Sequence, residues 1–188
     1  MERDSASNNG NGRVISVSSM SGDASVRDMA VLDAKISSVS GDVDGQNVVS
    51  DNLLMTVSSG DMQGVGVSAK VLKASAASGD MSIRGHADQM NLTNGSGDVI
   101  VIQNGDTKAA VNTRSGEVNF HLKNEGAGFA SRISTHGETN YRYGDLRLSD
   151  AANMCNKHYC LIFHNGFHRP KTFLLKTNIP NRQCFIYN

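Results

Sequence analysis

Through residue 150 the chain has no cysteine and no proline, and it has no tryptophan anywhere. No apolar run approaches the roughly 18 residues that a membrane-spanning helix needs, so no segment reads as a transmembrane span. The opening MERDSASNNGNG lacks the apolar centre of a signal peptide. Residues 1–12 therefore read as a disordered lead-in, with no encoded route out of the cytoplasm. A cysteine-free body is silent on redox compartment. Aromatic residues make up only 5% of the chain, so any core must be filled by Val, Ile, Met and Ala, which suits a narrow interior. Net charge is zero, yet residues 1–150 carry 18 acids against 13 bases. A net-negative body without clustered bases argues against nucleic acid as a partner.

The composition changes sharply near Asp150. Residues 151–188 carry five bases and no acid, and they hold both prolines, all three cysteines and six of the ten aromatic residues. Such a shift marks a boundary. The expected organisation is a lead-in over 1–12, a repeat domain over 13–150, and an atypical tail over 151–188. The tail either caps the domain's open end or is not native to it.

What the body does have is a beat. Ser-Gly-acid triplets occur at Ser21-Gly22-Asp23, Ser40-Gly41-Asp42, Ser59-Gly60-Asp61, Ser78-Gly79-Asp80, Ser96-Gly97-Asp98 and Ser115-Gly116-Glu117, and a worn seventh follows at His136-Gly137-Glu138. The glycines are 19, 19, 19, 18, 19 and 21 residues apart. A fixed period near twenty is the mark of a solenoid, and it outranks any local secondary-structure reading.

Alignment on the glycine exposes the inward positions. Two residues after it stand Ala24, Val43, Met62, Met81, Val99 and Val118; five before it stand Val17, Ile36, Met55, Ala74, Leu92 and Val111. Both columns are apolar throughout. Four after it the column is mixed: Val26, Gly45, Gly64, Ile83, Val101 and Phe120. Segments such as ISVSS and DVIVI alternate with the period of strands, and glycine at this density excludes helical repeats. Glycine accepts positive φ and can carry the corner between two strands, while the acid beside it can accept hydrogen bonds from exposed backbone N–H groups. One coil is then strand, corner, strand and a looser return, with each strand pairing in parallel with its counterpart one repeat later. The fold class is all-β: a parallel β-solenoid, or β-helix, of about seven coils of roughly 19 residues, stacked about 4.8 Å apart.

The recurring pattern, clearest in VSGDVDGQNV, VSSGDMQGVGV and TNGSGDVIVI, resembles the adhesin-type β-strand repeat domain of bacterial cell-envelope proteins, over roughly residues 14–148. That resemblance implies a non-enzymatic β-helical module in envelope interaction or signalling. It brings no catalytic residue and no cofactor. Cell-envelope association is implied by it alone. The tail does not fit the pattern.

Several constellations invite chemistry. Asp23, Asp42, Asp61, Asp80, Asp98 and Glu117 would stack on one edge, an oxygen-rich ladder of a kind calcium favours. Carboxylates about 5 Å apart in water repel by only ~1 kcal/mol, so such a ladder needs no metal, and turn capping is the preferred reading. Five residues after the glycine, Arg27, Arg84, His121 and Arg142 are interrupted by Gln46, Val65 and Ile102. A glycan-active β-helix enzyme, lyase or hydrolase, is the alternative function; it requires acids that break the repeat, and His136 beside Glu138 reads instead as a worn terminal coil. In the tail, Cys155, His158, Cys160, His164 and His168 are zinc-competent, but their spacing matches no closed four-ligand pattern. Glycosylation triplets begin at Asn91 and Asn94, inside repeats. The expectation is a non-enzymatic module without catalytic, metal or cofactor residues, whose partner is an envelope component or another protein. It requires Gly41, Gly60, Gly79 and Gly97 to superpose as one column, at positive φ or in a tight corner.

Overall fold

The computed structural model describes residues 4–5, 13–123, 129–143, 146–147, 159–164, 174–178 and 183–187. They form strands and connecting turns, with no helix among them. The strands are β1 (Asp4–Ser5), β2 (Val14–Ser21), β3 (Ala24–Ser40), β4 (Val43–Ser59), β5 (Met62–Ser78), β6 (Met81–Ser96), β7 (Val99–Gln103), β8 (Thr107–Ser115), β9 (Val118–Leu122), β10 (Phe129–Ser134), β11 (Thr139–Tyr143), β12 (Leu146–Arg147), β13 (Tyr159–His164), β14 (Leu174–Asn178) and β15 (Gln183–Tyr187). From β2 to β11 every pairing is parallel and joins a residue to its counterpart one repeat later, as Ile36 joins Met55 and Met55 joins Ala74. The result is a β-solenoid of about six turns of about 19 residues. Seven glycine corners enclose six intervals, which is why the triplet count overstates the coils by one.

Burial within one coil shows its shape. In β4 residues 43 and 45 point inward, then 48 and 50, then 53, 55 and 57; the pairs 46–47, 51–52 and 58–59 turn away from the core in succession. Strand alternation forbids two successive outward residues unless the chain bends, so each such pair is a corner. β3 and β5 repeat the pattern. Each coil is therefore three-sided, and the return expected to be loose is itself paired strand. In the first three coils the chain can turn there without breaking its ladder because the residue six after the corner glycine takes a left-handed conformation: Asp28 (φ 53°), Asn47 (φ 51°) and Gly66 (φ 67°). Asp and Asn are among the few side-chain-bearing residues that tolerate this region.

The two apolar columns form the core. Val43, Met62, Met81, Val99 and Val118 are sealed from solvent, and so are Ile36, Met55, Leu92 and Val111. The mixed column also faces inward, with neighbouring side chains filling the space that its glycines leave. A methyl at Gly45 would touch Ile36 Cδ1 and Met55 Cε, each at 3.5 Å. Polar side chains just before the glycines serve the corners. Ser38 and Asn94 stand three before a corner glycine, and Thr135 stands two before Gly137. Ser38 donates its hydroxyl to Gly22 O, Asn94 donates through Nδ2 to Gly79 O and Gly97 O, and Thr135 donates to Gly116 O.

One coil is shorter than the period, and the structure shows how the sheet absorbs it. The 18-residue interval between Gly79 and Gly97 leaves Gly66 as a bulge, because the β5–β6 register shifts between Val65 and Val67. In the following coil the chain leaves the ladder at residues 104–106, between β7 and β8. Ala87 thereby loses the backbone partner it would have had, and the Gln103 side chain takes that place. Ala87 N–H donates to Gln103 Oε1 (3.2 Å), and Gln103 Nε2 donates to Ala87 O (3.0 Å). A side-chain amide has the donor and acceptor of a peptide group, so Gln103, fully buried, substitutes for one rung.

At the far end the chain reverses. β12 pairs antiparallel with β11, and β13 pairs antiparallel with β10; β15 and β14 then extend the sheet from β13. At the near end β1 pairs with Ala24 and Ser25. The rest of the expected lead-in lies outside the described residues.

The corner glycines stack with no room for a side chain. Gly41, Gly60, Gly79 and Gly97 have φ of 138°, 139°, 117° and 111°, and a Cβ on Gly60 would lie 2.5 Å from Gly41 O. Gly60→Val is therefore expected to destabilise by on the order of 3 kcal/mol or more, since strain and a backbone clash add. Equal thermal melting of the variant and wild type would show that the corner does not need glycine. Gln103→Leu keeps the volume but strips two buried backbone groups of their partners, and should cost on the order of 2–4 kcal/mol in denaturant unfolding. Gln103→Glu should be destabilised too, because a carboxylate cannot donate to Ala87 O.

Candidate functional site

The acidic ladder is the first place to look for chemistry, since it repeats six ionisable residues along one edge. The structure brings them together and commits them to the backbone. Asp42 N–H donates to Asp23 Oδ1 (3.0 Å), Asp61 N–H to Asp42 Oδ1 (2.9 Å) and Asp80 N–H to Asp61 Oδ1 (2.9 Å). Asp98 N–H donates to Asp80 Oδ1 (2.9 Å) and Glu117 N–H to Asp98 Oδ1 (2.9 Å). Each carboxylate thus caps the amide of the next acid, one coil along, where the sequence suggested a cap on the acid's own corner. The neighbouring glycine amide donates the other way, as Gly41 N–H does to Ser59 O (3.0 Å). The ladder stops at Glu117, whose longer side chain hands on no bond among the described residues.

The seventh, worn triplet keeps its place in the stack. Glu138 O accepts Val118 N–H (2.9 Å) and Gly137 N–H donates to Thr135 Oγ1 (2.9 Å). A Cβ on Gly137 would meet Gly116 O. His136 and Glu138 are exposed on this last corner.

The column five after the glycine is real, and it runs outward along the first side of the coil in register: Arg27, Gln46, Val65, Arg84, Ile102, His121, Arg142. Its cations are not gathered. Arg27 bonds Asp44 at 3.0 Å, and Gln46 Nε2 donates to the same Oδ2 at 2.9 Å. On the next side Lys70 bonds Asp51 at 2.8 Å. These pairs are solvent-exposed on at least one partner and worth about 0–1 kcal/mol each.

A second polar column escaped the sequence reading. Asn47 Nδ2 donates to Asp28 Oδ1 (2.7 Å) at the left-handed corner, and Asn52 Nδ2 donates to Asp33 Oδ1 (2.7 Å) at the 51–52 corner. The signal was present: Asp28, Asn47, Gly66 and Gly85 all stand six after a corner glycine. A further cluster sits where the repeat breaks. His86 Nδ1 faces Asn104 O, and His86 Nε2 lies 3.0 Å from Asp88 Oδ1. With one ring nitrogen at a main-chain carbonyl and the other at a carboxylate, this imidazole has no nitrogen left to act as a base on a substrate.

Of the zinc-competent residues in the tail, Cys160 and His164 fall on β13, while Cys155, His158 and His168 lie outside the described residues. Among the described residues no group of three or more His, Cys, Asp and Glu side chains is placed to hold a metal ion. Asn91 is exposed, whereas the Asn94 amide is turned into the core.

The ladder geometry separates capping from calcium binding. Asp61→Asn should leave thermal stability nearly unchanged, because its carbonyl oxygen accepts the same bond. Asp61→Ala should cost on the order of 1 kcal/mol. Melts with and without calcium are expected to coincide for all three forms; a calcium-dependent rise in the wild type that vanishes in Asp61→Asn would make the ladder a metal site.

No helix among the described residues is long and apolar enough to cross a membrane. No curated protein and no solved structure shows significant similarity to the chain. The family profile of Toastrack DUF4097 matches residues 9–157, which takes in the whole run of corners from Gly22 to Gly137 and leaves most of the tail outside. The chain belongs to the Toastrack DUF4097 family.

Proposed function

We propose that this domain is a non-enzymatic interaction module that presents the flat outer sides of its coils to an envelope component or to another protein. The observation that carries the reading is the fate of the acids. The one regular array of ionisable groups is spent on joining coil to coil, each carboxylate holding the next coil's amide. Among the described residues, what faces solvent along the coils is a periodic surface. On the longest side it displays Ser18, Ser37, Thr56, Ser75, Thr93 and Asn112 in one register column. Columns of short polar groups at strand spacing suit recognition of an extended, repetitive partner. The resemblance to the adhesin-type repeat points to the same class and supplies the envelope as the place to look.

The test sets this reading against glycan turnover. The purified full chain is incubated with isolated peptidoglycan and, separately, with a panel of acidic polysaccharides, while cosedimentation and new reducing ends are both measured. Cosedimentation with at least one envelope material, without new reducing ends, is expected. Catalytic release of reducing ends or of unsaturated sugars would replace the module with an enzyme.

A further inference from the structure

Two Asn-Gly pairs lie among the described residues, Asn94-Gly95 and Asn104-Gly105. Asn-Gly is the dipeptide in which a side chain can most readily react with its own backbone: the following amide nitrogen attacks the asparagine Cγ, and glycine has no Cβ to obstruct the approach. The fold treats the two pairs in opposite ways.

Asn94 is locked. It lies within β6, its residue is 2% exposed, and Nδ2 donates to Gly79 O at 3.1 Å and to Gly97 O at 3.0 Å. Asn104 is not. It is exposed, stands in the 104–106 excursion outside the strand ladder, and its side chain makes no hydrogen bond among the described residues. Gly105 N–H, the group that must react, likewise has no partner among them.

A third feature activates the peptide. His86 Nδ1 faces Asn104 O and lies 3.3 Å from Gln103 Nε2; in the tautomer that carries the proton on Nδ1, this nitrogen donates to the carbonyl, which can only accept. This oxygen belongs to the same peptide unit as the Gly105 nitrogen. When that nitrogen gives up its proton, amide resonance places negative charge on the oxygen, where a positioned N–H donor stabilises it as it would any oxyanion. The position also demands glycine: Gly105 has φ 95°, and a Cβ there would lie 3.1 Å from His86 Nδ1 and 3.2 Å from its Cε1.

We propose that Asn104 is a site of spontaneous succinimide formation assisted by His86, converting with time to aspartate and isoaspartate. The Gly105 nitrogen forms a bond to Asn104 Cγ, and the side-chain amide nitrogen departs as ammonia, taking up the proton lost from the Gly105 N–H. Water then opens the ring at either carbonyl. Opening at one returns an ordinary main chain with aspartate; opening at the other leaves isoaspartate, with the former Cβ inserted into the main chain. Either product places a new carboxylate in the excursion next to Asp106, and the second also lengthens the chain beside the Gln103 patch.

The experiment uses the full chain, held at physiological temperature and mildly alkaline pH and sampled over days. Peptide mass mapping reads the amide-to-acid shift, and enzymatic isoaspartate methylation reads the isomer. Asn11-Gly12 in the polar lead-in provides an internal clock. Asn104 should convert faster than Asn94 by on the order of tenfold or more, because Asn94 must first break two buried hydrogen bonds. In denaturant the two should convert at similar rates. His86→Leu should slow Asn104 about tenfold against the Asn11 clock, the value of one hydrogen bond to a developing charge. His86→Asn, which keeps a donor, should slow it less. The site is disproved if Asn104 stays an amide in the wild type after Asn11 has converted, or if Asn94 keeps pace with it in the folded chain. Equal Asn104 rates in wild type and His86→Leu, with the fold intact by circular dichroism, would remove the role of His86.

Discussion

The carbonyl of each corner glycine occupies the space where the next corner's Cβ would be. At Gly60 the gap to Gly41 O would be 2.5 Å, far inside any real carbon–oxygen contact. That approach admits only glycine at this place in the coil, and it fixes the height of one coil on the next. Everything else is read from the corner. The acid after the glycine finds its carboxylate under the following coil's amide, the residue after that turns inward, and the apolar columns fall into line. A slip of one residue would put the whole set of inward side chains into water. The repeat is strict because its tightest point has no tolerance.

The fold was legible because its signal is periodic. Columns at +2 and −5 are apolar in every repeat, and the structure buries both. Legibility ended where repeats differ chemically while doing the same job. Asp28, Asn47 and Gly66 share a left-handed corner, but an acid, an amide and a glycine do not look like one column unless backbone conformation is the property compared. The ladder's direction was equally hidden. Spacing in sequence gives the period of Asp42 and Asp61, not which coil's N–H faces which carboxylate. Gln103 was hidden for a third reason. It faces inward at the position where Asp28, Asn47 and Gly66 face out, and its amide fills the place left by the 104–106 excursion, a property of one coil and not of the pattern.

The candidate site follows the same division. The acids could be named from the sequence, and their reading as caps agrees with the bonds they make. The His86 cluster could not be named, because it depends on a shortened coil and an excursion lying side by side. In a solenoid the regular parts explain the shape, and whatever is particular to one molecule sits where the regularity lapses.

The parallel, one-repeat-on pairing has a consequence for how the chain is made. No strand from β2 to β11 waits for a distant partner, so coils can settle in the order in which they leave the ribosome, each finished coil offering its edge as the template for the next. The same edge is an invitation to a second molecule, because an unfinished parallel solenoid can be continued by any chain of the same sequence. The antiparallel strands β12 and β13 work against that: by running the chain backwards along the last coil, they present a register that the repeat cannot copy.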